Sequence, residues 1–563
     1  MKPTIILKYT LLTAFAAFGA NVITSCTDNF ESLNTSNIQV NPADLPFAAQ
    51  CTEPMTYCYP PQQNMFQFWT NLTIDLYGGY FMTPNGNFTN GDMGENRGHS
   101  GGMYENYYLH IFNNTRRIIA QCDIDGNKGL AGVMRIVQAY GTLMTTDAYG
   151  PLPYSSILQD KNESYYEFDS QKDLYKAMFN DLNQAMIDIK AMGADEIVKL
   201  KTFDCWCNGD TELWIKIANT MKLRMALRLS KREAEAGSDM NLKAMATEAA
   251  TNTLATVNKD ILISKGLENE MWLMFAWGDC GFNANLVTLM SGMKDPRQPL
   301  YMTKNTADVK DKNGSAVVVS KGSQYLGIRF ASGLPAKPND WGNFSGWIQG
   351  DGGSSYSMPL PIMKAAESYF LLAEAKLRWN IGTESVQDLY EKGIRVSAEN
   401  ELAYRGDYSG VKKYDDGAID AYINGTTTQI DFVDPVDPAL STPAVNKLSV
   451  KWDETATNEQ KLERIITQKW LALFPLSTEA WAEQRRTGYP HFLPPFVNES
   501  NGGVETAEGV RRVIYSSQAY DANAKGLEGG LKLLDAENSS KYGISGDKGG
   551  THLWWDNADK GNF

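Results

Sequence analysis

Four histidines occur in 563 residues: His99, His110, His491 and His552. None falls in an H-E-x-x-H or similar ligand spacing, which argues against a zinc hydrolase. Asp123-Ile124-Asp125-Gly126-Asn127 opens like a calcium loop, but Lys128 stands where the sixth-position glycine belongs and Met134 where the bidentate glutamate belongs. A tight polar turn is expected instead. Cys205-Trp206-Cys207 has no second C-x-C or C-x-x-C to complete a metal site. A glycosidase needs two carboxylates at a set separation, and nothing singles out a pair among 66 acids. No catalytic residue, metal or cofactor is therefore expected. Aromatics in loop-rich segments say more. Sugar rings stack their C–H faces on aromatic faces, and their hydroxyls want Asp, Asn and Arg nearby. On that chemistry the expected ligand contacts are Asp75, Tyr77, Tyr80, Asn85, Tyr104, Asp340, Trp341, Asn343 and Trp347. The competing role for such aromatics is to plug loops onto a core.

The N-terminus carries Lys2 and Lys8, then an apolar run from Leu11 to Phe18, then Ile23-Thr24-Ser25-Cys26. This is the order of a secretory signal peptide with small residues before a cleavage point. A cysteine at that point looks like a lipobox, so Cys26 is expected to be acylated. The apolar run falls short of the roughly 20 residues needed to span a bilayer. Removing residues 1–25, which hold two lysines and no acid, takes the net charge from −14 to −16. Nucleic acid wants a basic face and is not an expected partner. Residues 1–25 thus read as signal peptide, 26–45 as lipidated cysteine and polar tether, and 46–563 as one domain. The other six cysteines are too sparse for a disulfide-built scaffold.

Helical periodicity marks the elements that must position any site. Trp214, Ile217, Met221 and Met225 recur within 210–232, behind a cap at Asp210 or Thr211. Ile362, Ala366, Tyr369, Ala373 and Leu377 stripe 361–380, and Leu462, Ile466, Trp470 and Leu473 stripe 461–474. Another helix starts at Ser477 and stops after Arg485 and Arg486, at Gly488 and Pro490. Residues 130–146 and 170–192 also read as helices. Segments 78–102, 291–360, 400–450 and 498–551 read as long loops, which in a compact protein are usually functional or disordered.

Several runs resemble one family in the expected order. Thr146-Asp147-Ala148-Tyr149-Gly150-Pro151-Leu152-Pro153-Tyr154 resembles its "TDxYGxxPY" segment. Asn208-Gly209-Asp210, Trp214 and Ala218-Asn219-Thr220-Met221-Lys222-Leu223-Arg224 resemble its "GD…W…AN.LKLR" helix. Asp295-Pro296-Arg297, Glu367 to Ala375, and Gln468-Lys469-Trp470 through Gly488 resemble "DPR", "E..FLLAEA" and "QKW…EAW…RRTG". The chain thus resembles the SusD/RagB nutrient-binding lipoproteins of Bacteroidetes. The resemblance implies a mainly α fold of tetratricopeptide-like helix pairs with long, ligand-facing loops. It implies an outer-membrane, lipid-anchored, outward-facing protein that carries no enzyme activity. Its partners are expected to be an oligosaccharide or peptide and a SusC-type TonB-dependent transporter. A helical glycoside hydrolase and a protein-only assembly scaffold are the alternatives. The shared Glu and Arg positions are expected to be structural, because a buried carboxylate needs a partner and Arg is the usual one. Ser25 departs from the Gly or Ala commoner before the lipidated cysteine. Replacing Cys26 with Ala is expected to abolish palmitate labelling and to move the protein from the membrane fraction to the soluble one, as read by fractionation and blotting.

Overall fold

A computed structural model describes residues 45–61, 63–159, 164–263, 268–349 and 356–563. The signal peptide, Cys26 and all of the tether except Leu45 lie outside them. Two compact units divide the chain at Gln50. In the first, Gln50 Nε2 donates to Leu45 O. The second, Cys51–Phe563, carries everything below.

Among the helices that build it are α1 (63–77), α2 (97–124), α3 (Lys128–Tyr149), α4 (Gln171–Lys190), α5 (Thr211–Arg228), α6 (Leu242–Ala249), α7 (Met271–Ala276), α8 (Ala365–Trp379), α9 (Val386–Ser409), α10 (Asn458–Leu473), α11 (Ser477–Thr487) and α12 (Ser517–Glu537). Sequential helices pack as pairs: α2 on α3, α3 on α4, α5 on α6, α8 on α9 and α10 on α11. Contacts of α4 with α5 and of α5 with α8 join the pairs into a tetratricopeptide-like array. α4 shows how the sequence makes such an element. Ser170 caps it by accepting from Asp173 N, and Leu174, Met178, Leu182, Ala185 and Ile189 bury one face. Each of the Leu, Met and Ile side chains contributes about 1.5–3 kcal/mol by burial. Gly132 sets how closely α3 meets α4, since a Cβ there would come within 2.9 Å of Ala185 O.

The strands are short and antiparallel. β1 (Phe81–Met82) pairs with β3 (Gly281–Phe282), and β2 (Ile261–Ile263) with β8 (Leu360–Met363). β4 (Met302–Asn305) pairs with β7 (Ser345–Trp347), and β5 (Val309–Lys310) with β6 (Val317–Val319). They pin the loops to the helices. The Asp123–Asn127 segment holds the last two residues of α2 and the turn into α3, with Gly126 at φ +75°. All six described cysteines are buried, and Cys51, Cys58, Cys122, Cys207 and Cys280 are free thiols.

Three long-loop expectations are corrected. Residues 97–102 begin α2, 400–409 complete α9, and 517–537 form α12. α1 and α2 each contain a stretch, Gln67–Ile74 and Tyr107–Phe112, wound with i→i+5 hydrogen bonds, which slides the apolar stripe off a 3.6-residue period. α12 is kinked at Asn523 and rich in glycine. Gly530 leaves room for Phe168, whose ring a Cβ would meet at 2.5 Å.

α5 is buried almost all round, so Arg224 and Arg228 enter the core. There they meet the carboxylates of the family motifs. Arg224 grips Glu367 of α8 through two bonds of 2.8 and 2.5 Å. Arg486 of α11 grips Glu374 at 2.6 and 2.7 Å and reaches Glu483 at 2.5 Å. Arg228 pairs with Asp147 at the end of α3 and with Glu479 and Glu483 of α11. Arg378 adds a bond to Glu374. Lys469 of α10 stands 3.5 Å from each of Glu367, Glu479 and Glu483, an arrangement held by charge. Five cations thus answer five carboxylates across α3, α5, α8, α10 and α11. Burial pushes the Glu479 carboxyl up, but Arg224, Arg228 and Lys469 overcome it and hold the group at about 2. Burial acts the same way on Glu483 and Glu374, and their arginines still hold both below the usual carboxylate range.

Unpairing one such charge costs about 3–5 kcal/mol. Glu483→Gln is therefore expected to lower the denaturant midpoint sharply, while Glu528→Gln, in an exposed pair with Lys532 on α12, leaves it unchanged. The three carboxyls have folded pKa values below their unfolded value of roughly 4.3, so their stabilisation is present above that pH. It is lost as pH falls from there toward 2. Urea melts across that window should show stability dropping in the parent and less steeply in Glu483→Gln.

Candidate functional site

Most residues singled out for ligand contact have their side chains inside the protein. Asp75 accepts from Ser477 Oγ at 2.5 Å, and burial pushes its carboxyl up to about 7. Tyr80 is fully buried and donates to the carbonyl of Trp470. Tyr104 packs among Tyr108, Tyr149 and Tyr515. Trp347 packs among Phe81, Phe282 and Phe474, and Trp341 Nε1 donates to Asp434 at 2.9 Å. Asp340 accepts from Lys310 N at 3.0 Å, and Asn343 donates to Asp308 O at 3.0 Å, so both brace the β5–β6 hairpin. Tyr77 is half-buried between Phe330 and Trp481. Asn85 is the member that reaches a polar constellation shared with other segments.

That constellation centres on Asp279. Its Oδ1 accepts from Asn85 Nδ2 at 3.1 Å and from Lys337 Nζ at 2.6 Å, and its Oδ2 from Gln67 Nε2 at 3.2 Å. Lys337 Nζ also donates to Trp277 O at 2.7 Å. Four segments far apart in sequence are thereby knotted together: α1, the loop after β1, the turn after α7 and the loop before Trp341. Gly278, at φ +70°, makes that turn between Trp277 and Asp279.

Half-exposed rings neighbour the knot's residues in sequence. Phe68 follows Gln67, Phe88 lies three residues after Asn85, and Trp277 lies two before Asp279. The His99 imidazole stacks on Phe68 with centroids 5.0 Å apart and lies 5.8 Å from Phe88. Burial lowers its proton affinity, so at neutral pH it is an uncharged ring. Trp272 of α7 lies 6.4 Å from the exposed Tyr356. Of thirteen tryptophans, ten are buried, and two of the three that keep exposure are Trp272 and Trp277. Exposing large rings costs hydration free energy unless something covers them. A ledge of ring faces around amide and ammonium donors can hold a polyhydroxylated ligand.

The knot holds one carboxylate, and three donors occupy it. Among the described residues no group of three or more His, Cys, Asp and Glu could hold a metal ion. Gly98-His99-Ser100-Gly101-Gly102 spells the G-x-S-x-G of a nucleophile elbow. It lies inside α2, where Ser100 Oγ donates to Arg97 O. Sequence reasoning missed Gln67, Phe68, Trp272, Trp277, Asp279 and Lys337. The available signal was the run Met271–Asp279, with two tryptophans five residues apart that cannot share one helix face.

The family model described as "SusD-like: Susd and RagB outer membrane lipoprotein" matches residues 29–556. Among solved structures, a chitin-binding SusD homolog from Flavobacterium johnsoniae is 27% identical, with TM-score 0.78, covering 92% of this chain and 100% of that one. A SusD homolog from Bacteroides vulgatus is 26% identical, with TM-score 0.78, covering 92% and 99%. A SusD-like protein from Bacteroides thetaiotaomicron is 27% identical, with TM-score 0.76, covering 91% and 98%. No curated protein matches the chain.

Removing the carboxylate leaves three donors facing a gap, and hydrogen bonds to a charged group are worth about 1.5–3 kcal/mol. Asp279→Ala should therefore lower the thermal midpoint and shift the emission of Trp277, while the far-ultraviolet dichroism of the helices stays as it was.

Proposed function

The chain belongs to the SusD-like family of outer membrane lipoproteins, and from that premise we propose that it captures glycans at the cell surface and passes them to a SusC-type TonB-dependent transporter. Families of this kind bind carbohydrate and are not enzymes. Among the described residues no helix is long and apolar enough to cross a membrane. The reading therefore places the anchor at Cys26, after a cleaved signal peptide, with residues 27–45 as tether.

The observation that carries the glycan reading is the ledge. Trp272 and Trp277 stay half-exposed in a protein that buries ten of its thirteen tryptophans, and the carbonyl of Trp277 accepts from Lys337 in a rigid set of polar donors. Stacking on such faces supplies affinity with little ordering cost, because each ring has two torsions to fix. Asn85 and Lys337 are the proposed hydroxyl partners, and Phe68, Phe88 and Trp277 the proposed stacking faces. The chitin-binding relative supports a β-linked amino-sugar polymer as the first ligand to try. Nothing in such a cycle needs bond breaking by this chain: it binds, holds and releases.

Calorimetry against N-acetylglucosamine oligomers and a wider glycan panel tests this, with product formation followed in parallel. Trp277→Ala is expected to weaken the best ligand at least about tenfold, equivalent to about 1.4 kcal/mol, with the fold unchanged. Unaltered affinity in that variant, or sugar cleavage by the pure protein, would sink the reading. Co-purification from membranes with the transporter tests the partnership separately.

A further inference from the structure

A second open cleft lies away from the Asp279 knot, with a volume of about 670 Å³, inside the range of small-ligand sites. Its floor is aromatic. Tyr77 meets Phe330 edge-on at 6.2 Å and leans on Trp481 at 5.4 Å, and Phe492 is half-buried beside them. Its rim is acidic. Glu505 and Glu508 line it. Glu508 shares one oxygen with His552 at 3.1 Å, and among the described residues Glu505 has no ion-pair partner. The cationic side chain of the lining, Arg511, is already answered by Asp556 through bonds of 2.5 and 2.8 Å. His491 also faces the cleft, and burial lowers its proton affinity, so the balance is negative at neutral pH. The cleft is also wired to the ledge. Asn90 Nδ2 donates to Tyr77 OH at 3.4 Å, and Asn90 Oδ1 lies 3.2 Å from His99 Nδ1.

We propose that this cleft is a second saccharide subsite that selects a sugar carrying a protonated amine. The Tyr77, Phe330 and Phe492 rings of the floor accept the apolar face of a pyranose and attract a cation through their faces, while Trp481 already carries Arg485 on its ring at 3.5 Å. Glu505 and the rim carboxylate Glu508 supply the counter-charge, and the cation of the lining, Arg511, is held by Asp556. A uronate or sulfated sugar would meet like charge here, whereas a neutral sugar would gain only the floor. The hydrogen-bonded path Tyr77–Asn90–His99 places both sites on one connected set of loops, so one chain of sugars can engage both. The inference rests on the glycan reading above.

The test is calorimetry on the mature protein with tetramers of glucosamine and of N-acetylglucosamine. Glu505→Gln should weaken the glucosamine tetramer about fivefold and leave the acetylated one unchanged, and Phe330→Leu should weaken the glucosamine tetramer while conserving bulk. Trp277→Ala should act chiefly on the acetylated tetramer, and added salt should erase the Glu505 effect. If the parent binds glycans but Glu505→Gln and Phe330→Leu bind glucosamine as it does, the cleft proposal fails and the glycan reading stands. If no saccharide binds the parent, both fail. If an oligolysine peptide shows the Glu505 and Phe330 dependence and glucosamine does not, the occupant is a peptide and the proposal is overturned. Circular dichroism of each variant separates loss of a contact from loss of fold.

Discussion

Ten charges buried in one balanced cluster constrain this protein more than any other interaction. Asp147, Glu367, Glu374, Glu479 and Glu483 are answered by Arg224, Arg228, Arg378, Lys469 and Arg486. Taking such groups from water is repaid only with the right partners at the right distance. No member can move or be lost singly without leaving a bare charge in the core. The cluster therefore sets where α3, α5, α8, α10 and α11 stand relative to one another. Hydrophobic burial drives the helices together, but it tolerates sliding. Bidentate arginine pairs do not.

The site depends on that registration through a short chain of contacts. Lys469 sits in the cluster, and its neighbour Trp470 donates from Nε1 to Gly78 O at 2.9 Å and accepts from Tyr80. Those two bonds hang the segment after α1 on α10. Phe81 and Met82 then pair with Phe282 and Gly281, which brings Asp279 to Asn85. On the other side, Ser477 at the start of α11, two residues before the cluster's Glu479, holds Asp75 in α1. The ledge is thus built from loops, yet its rigidity is inherited from the helices. That division suits a binding protein, whose loops can vary in ligand choice while the frame stays intact.

Much of the frame was legible. Caps at Asp210 and Ser170, stripes at helical spacing, and the stop at Gly488 with φ +84° all sit where local chemistry puts them. The expectation that the shared Glu and Arg positions are structural also holds, because those side chains find one another. α1 and α2 were illegible for a local reason, since i→i+5 winding breaks the repeat that reveals a helix. α12 was hidden by its glycines, of which Gly530 admits the Phe168 ring and Gly526 the carbonyl of Tyr166. The site was illegible for a longer-range reason. Tyr80 and Trp347 have the same chemistry as Trp277, and only the packing around each ring decides which one meets water.

By itself the sequence determined the family, the helical scaffold and the identity of the charges that lock it, because periodicity, capping and motif order are written in neighbouring residues. Tertiary structure alone decided that four of the five motifs share one charge cluster, that Gln67, Asn85, Asp279 and Lys337 form one knot, and that a few aromatic rings face outward. Those outcomes depend on residues up to hundreds of positions apart being brought within 3 Å or so, a distance at which hydrogen bonds form. No local pattern encodes that meeting, and it is what turns a common frame into a particular binding surface.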